Sequence, residues 1–143
     1  MKSAILFAAA SLLYAGNSKG DEREFQSNGF EGLYATIVTS EVLANTPIWS
    51  NDDDNPPLSA KRAREIATRK MAVMTKGLEH FNWRLTSLSL ERIGDGWFWL
   101  VTYTSPPTDT ARALPIRIVV LMDGSVVEPK KIPVPKPTAV PSA

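Results

Sequence analysis

Cysteine is absent from all 143 residues, so the chain forms no disulfide and offers no thiol nucleophile. Many small domains lean on disulfides; this one is held by packing alone. Histidine occurs once, at His80. Long apolar runs are also missing. The longest, residues 4–15 (AILFAAASLLYA), spans twelve residues, roughly 18 Å of helix against a bilayer core of about 30 Å. No other stretch is long and apolar enough to cross a membrane as a helix. Net charge of one sign is lacking as well: without Lys2 the basic and acidic side chains balance at 15 each.

What stands at the N-terminus reads as an export signal. Lys2 gives a positive start, residues 4–15 an apolar stretch, and Gly16, Asn17 and Ser18 small residues at a cut site. Residues 1–18 are therefore expected to be a signal peptide, which makes the protein periplasmic or secreted. With no cysteine at the cut site, a bacterial-type lipid anchor there is excluded. Residues 19–32 (KGDEREFQSNGFEG), polar and glycine-containing, are expected to be a flexible linker. Five prolines follow in residues 129–143, a proline-rich extended tail.

Residues 33–43 (LYATIVTSEVL) are rich in β-branched types and fit a strand, without excluding a helix. A Pro-, Asp- and Asn-rich stretch then interrupts regular structure. Ser59 is an N-cap candidate, and Ala63, Ile66, Ala67, Met71, Met74, Leu78 and Phe81 recur at spacings of three and four, which predicts a helix from 59 to about 79. Three strand signals come next. Residues 84–93 alternate, but their phase slips, and a bulge near Thr86 or Ser87 reconciles it. Gly94-Asp95-Gly96 turns into 97–104 (WFWLVTYT), apolar on both faces as a central strand would be. Residues 114–122 give the third strand, and Asp123-Gly124 a tight turn into 125–128.

The sum is an α+β fold, one long helix packed on an antiparallel meander of three to four strands. Its order resembles PepSY-like domains, small cystatin-like modules of exported proteins. The likeness lies in the run from Leu58 to Ala67, the Trp83-Arg84-Leu85 start of a strand, the aromatic strand after Asp95-Gly96 and the Asp123-Gly124 hairpin. It is nearest to exported bacterial proteins with Thr46, Pro47 and Trp49 followed by Pro56, Pro57, Leu58 and Ser59. The resemblance implies a PepSY-like domain over residues 33–128 and a non-enzymatic role, some relatives being thought to restrain proteases. The adjacent Asp123 and Gly124 depart from the pattern, which usually has several residues between Asp and Gly.

Chemistry is sparse. His80 as a base would need partners that no motif supplies, so a hydrolase built on it is an alternative only. Residues 51–55 (NDDDN) could grip calcium, but the spacing of an EF-hand fails, with Arg62 at the twelfth position. No metal, cofactor or catalytic residue is assigned. The basic helix lacks the interleaved aromatics of single-strand binders, and no nucleic-acid partner is expected. Residues 19–58 carry a net −6 and residues 59–143 a net +6, which predicts that Asp52, Asp53 and Asp54 dock near Lys61, Arg62 or Arg64.

The aromatic strand supplies the remaining candidates. Trp97, Trp99 and Tyr103 share a parity with Val101 and are placed under the helix, with an aromatic platform for a peptide or carbohydrate as the other reading. That leaves Phe98, Leu100, Val119 and Leu121 on the opposite face as a candidate partner surface. Its cover is expected to be residues 33–43, the tail or a second molecule. The functional expectation is a non-enzymatic exported binding or regulatory module acting on an envelope or secreted protein, the alternative being a self-associating structural envelope protein.

Overall fold

The computed structural model describes residues 21–29, 32–50, 52–107, 109 and 114–133. The expected signal peptide and most of the tail lie outside these residues. The fold is α+β, with two three-stranded antiparallel sheets and one main helix.

The second sheet in chain order is the one the alternation announces. β3 (Arg84–Ile93), β4 (Gly96–Thr104) and β5 (Pro115–Leu121) pair in the order β3-β4-β5. Their register shifts between Leu85 and Ser87, the expected bulge. Because of that extra residue, Leu85 and Leu88 both pair on the Tyr103–Val101 side, and Leu90 and Arg92 follow opposite Trp99 and Trp97. The turn after β5 returns through Asp123 and Gly124 (φ +85), but only a single bridge, Val120 to Val126, forms where a further strand is expected.

The main helix covers residues Ala60–Met74, shorter than the sequence predicts. Ser59 caps its start by accepting from Arg62 N at 3.2 Å. Thr75 ends it with its hydroxyl turned back on Met71 O, and Gly77 follows at φ +88, so the apolar stripe runs past the point where the backbone leaves the helix. Ala63 and Ala67 carry the closest contact with the sheet, fully buried over Trp99, Val101, Tyr103, Ile116, Ile118, Val120 and Met122. Small side chains let helix and sheet backbones approach, while Ile66, Met71 and Met74 flank the contact half-buried. Two tryptophans pin the helix ends: Trp99 Nε1 donates to Leu58 O at 2.9 Å before its first turn, and Trp83 Nε1 to Leu78 O at 3.0 Å beyond its last.

The first sheet overturns two expectations. Residues Glu22–Gly29, assigned above to a flexible linker, form strand β1, paired along its whole length with β2 (Gly32–Thr39). Polar composition misled because β1 lies at the sheet edge, where Glu22, Arg23 and Glu24 face solvent and only Phe25 and Ser27 turn inward. Part of the expected tail is also ordered: Lys130–Lys131 forms β6 against Tyr34 and Ala35, and Ile132 N donates to Leu33 O at 2.8 Å. Between β2 and the main helix, Ser40–Ala44 makes a short helix, so residues 33–43 are strand and then helix; this short helix is α1 and the main helix α2.

Candidate functional site

The face expected to meet a partner is interior. Phe98 and Val119 are fully buried and Leu121 nearly so, in a second core with Val38, Leu43 and Ile93; Leu100, Phe25, Val42 and Val127 pack around it. The rings of Phe25 and Phe98 meet edge-on, with centroids 6.0 Å apart. The uncovered patch asked for a cover, and β1, β2 and α1 supply it from the same chain. Phe98, Leu100, Val119 and Leu121 are therefore not a partner surface.

The edge of β5 is closed too. Ser27 Oγ accepts from Arg117 N at 2.8 Å and donates to Arg117 O at 3.2 Å, and Arg117 Nη1 reaches Gln26 O at 2.9 Å. Further along, Leu121 N donates to Ser125 O and Val127 N to Val119 O. A strand edge whose backbone groups are engaged does not recruit another strand.

The acidic loop is not docked on the basic helix. Among the described residues Arg62 pairs with Glu65, Lys70 with Glu128, Arg23 with Glu91 and Arg92 with Asp95, and none of Asp52, Asp53 or Asp54 forms an ion pair. The physical reason is local. Asp53 faces its own loop, where Oδ2 accepts from Ser50 N at 3.3 Å and its carbonyl accepts from Trp49 Nε1 at 3.0 Å. The loop is a bracket for Trp49. Among the described residues no group of three potential His, Asp or Glu ligands gathers to hold a metal ion.

His80 sits exposed in a 3-10 turn, Glu79–Phe81, its ring 4.3 Å from that of Phe81. Glu79 beside it is held below the usual glutamate range by its own backbone N–H and that of Gly77. That carboxylate makes no hydrogen bond to the imidazole. No nucleophile–base pair is assembled around His80 among the described residues.

Bracketing Trp49 builds an aromatic depression. Trp49 packs edge-on against Trp97, with centroids 5.1 Å apart, and the Arg92 guanidinium lies 5.4 Å from the Trp97 ring centroid. With Ile48, Ser50 and Asp95 they line a cavity of about 270 Å³ at the β3–β4 turn. Ile48 stands 73% exposed at its rim, the most exposed large apolar side chain described. Arg92 is oriented by Gly94 O at 2.6 Å and Asp95 Oδ1 at 3.3 Å.

The four tryptophans separate the structural from the available. Three donate their indole N–H to a backbone carbonyl: Trp49 to Asp53, Trp83 to Leu78 and Trp99 to Leu58. Trp97 alone has no acceptor among the described residues, and it lies in the depression beside Trp49. The sequence placed Trp97 correctly on the helix side, and it does pack at the margin of the first core. It missed that Trp49 would join it, because no spacing rule links a loop residue to a strand 48 positions on. The signal was present in Ser50 and Asp53, which have the spacing of a side-chain-capped turn.

A second cavity, about 400 Å³, lies between the end of α2 and the β1–β2 hairpin, lined by Tyr34, Lys70, Val73, Met74, Lys76 and Glu128 among others. Its principal cation, Lys70, is neutralised by Glu128 at 2.6 Å. No helix among the described residues is long and apolar enough to cross a membrane. Comparison with known proteins returns no match: no family model, no curated protein and no solved structure is similar to this chain.

Proposed function

We propose that the chain is a non-enzymatic exported binding or regulatory module, PepSY-like in its helix-on-sheet order, which engages an envelope or secreted protein through the Trp49–Trp97 depression. The observation that carries this reading is Trp97, whose indole N–H is left without an acceptor among the described residues beside an exposed Ile48. Large aromatic rings with a free polar tip, next to an oriented arginine, are the residue types that dominate binding energy at protein interfaces. The export-type N-terminus supports a partner outside the cytoplasm.

The test compares partner capture from the envelope and secreted fractions of the native host. The wild-type chain should recover a reproducible protein that Ile48→Ser and Trp97→Ala variants fail to recover. Ile48→Ser is the cleaner variant, because that side chain supports little of the fold. Equal recovery by all three, or no reproducible protein with the wild type, overturns the proposal.

A further inference from the structure

The Trp49–Trp97 depression lies at the end of an open strand edge. β3 is the outer strand of its sheet, and α2 packs mainly over β4 and β5. On the helix side of β3, Leu85 is 40% exposed and Leu88 and Leu90 are half-buried, ending at Arg92 on the wall of the depression. A two-residue turn joins Ile93 to Gly96, so those two form a hydrogen-bonded pair, and alternation aims the backbone groups of Glu91, Ser89 and Ser87 at β4. The N–H and C=O of Leu88, Leu90 and Arg92 therefore point outward. Among the described residues nothing bonds to them. β5, at the other side of the sheet, is stitched shut by Ser27, Ser125 and Val127. The contrast singles out β3.

Resting on the pocket reading above, we infer that the occupant is an extended peptide segment of another protein, added antiparallel or parallel to β3. It carries apolar side chains toward Leu88, Leu90 and the Trp49–Trp97 depression, and carboxylates among them. Backbone bonding to a sheet edge, with alternate side chains read by pockets, is an established way for a sheet to take up a peptide. Charge decides the rest. Arg92 lies on the helix side at the end of the edge, and the carboxylate that it pairs with, Asp95, is itself almost fully exposed and open to exchange. Arg64 has no side-chain partner among the described residues and lies one turn before Thr68, whose hydroxyl meets Tyr103 Oη at 2.8 Å and so marks the helix flank turned from the Ile66 side toward β3. An apolar lane with one arginine at its end and another on the helix beside it selects an acidic strand. A second copy of this chain fits less well. Two β3 edges paired about Leu90 would set each Arg92 opposite Leu88 of the other copy, with no carboxylate for it.

The experiment uses the chain expressed with its own N-terminus, so that processing occurs as in the cell, labelled with nitrogen-15. The probe is a blocked nine-residue peptide, Thr-Glu-Thr-Ile-Thr-Ile-Thr-Glu-Thr, which carries two Ile flanked by two Glu on one face, and the control replaces each Glu by Lys. Titration should shift the amides of Leu88, Leu90 and Arg92 and slow their hydrogen exchange, while those of Leu121 and Val127 stay fixed. The Lys control should bind at least about tenfold more weakly, and Arg64→Glu should weaken the acidic probe by a similar factor. Leu90→Pro, which removes an outward N–H, should abolish the β3 shifts; if that variant does not fold, Arg64→Glu and the Lys control still decide. Shifts confined to Asp95 and Trp97 would overturn the edge proposal and leave the pocket reading standing. The absence of any shift overturns the edge proposal, and the capture experiment above then judges the pocket by itself. Probe-free, concentration-dependent shifts at Leu88 and Leu90 would make the occupant a second copy and overturn the peptide.

Discussion

At the scale of single residues, the fold depends on polar atoms placed inside apolar surroundings. Trp99 is buried in the first core, and its N–H satisfies Leu58 O just before α2. Trp99→Phe keeps a ring but strands that carbonyl, so stability should fall by about 1–3 kcal/mol in urea unfolding, with the fold retained. A loss below about 0.5 kcal/mol would mean that water replaces the indole at no cost. Asp123 gives a pH-dependent example. Its Oδ1 accepts from Ser125 Oγ at 2.6 Å and Ser125 N at 2.9 Å, and these bonds hold its carboxyl below the ordinary aspartate value of 3.8. A depressed folded-state pKa stabilises fully above the unfolded value and is lost as pH falls through the folded one. The stability gap between wild type and Asp123→Ala should therefore narrow as pH drops from about 6 toward 2, read from urea midpoints. A gap that stays constant would show that the turn does not depend on the charge.

At the scale of elements, what the sequence showed and what it hid follow from periodicity. β3, β4, β5 and α2 carry alternating or three-to-four spacing, so their order, the Thr86 bulge and the helix-side placement of Trp97, Trp99 and Tyr103 could all be read. β1 could not be read, because an edge strand that starts with three exposed charged residues and is polar along most of its length has the composition of a linker. Its anchoring depends on Ser27, whose hydroxyl meets the backbone of a residue 90 positions away. The site divided in the same way: Trp97 belongs to a periodic strand, whereas Trp49 reaches it through a loop. Contact between α1 and β4 was equally hidden. Leu43 lies over Gly96, where an added Cβ would stand 2.5 Å from Leu43 Cβ. A Cβ cannot swing aside, so Gly96→Ala should force α1 away from the sheet at a cost of about 1–3 kcal/mol. A double-mutant cycle with Leu43→Gly, which removes the opposing Cβ, should show strong non-additivity; additive losses would place the strain of Gly96→Ala elsewhere.

At the scale of the whole molecule, the chain stacks three layers: α2, the β3-β4-β5 sheet and the β1-β2-β6 sheet, with one core on each side of the middle sheet. A middle sheet buried on both faces explains why β4 reads as apolar on both parities. It also makes the two cores interdependent, because Phe98 and Trp99 are neighbours on one strand serving opposite sides. β1 is the lid of the second core: it brings Phe25 onto Phe98 and Ser27 onto the edge of β5. A chain shortened to begin at Gly32 would keep α2 and the whole first core, yet it would open Phe98, Val119 and Leu121 to water and leave β2 paired only with the two residues of β6. A domain of this size has a total stability of about 5–15 kcal/mol, and exposing several large apolar side chains uses up most of it. The shortened chain should therefore lose its cooperative thermal transition, bind a hydrophobic dye and self-associate in sedimentation. Were it to melt cooperatively within about 2 °C of the full chain and remain monomeric, β1 would be an accessory strand and the first core would stand alone.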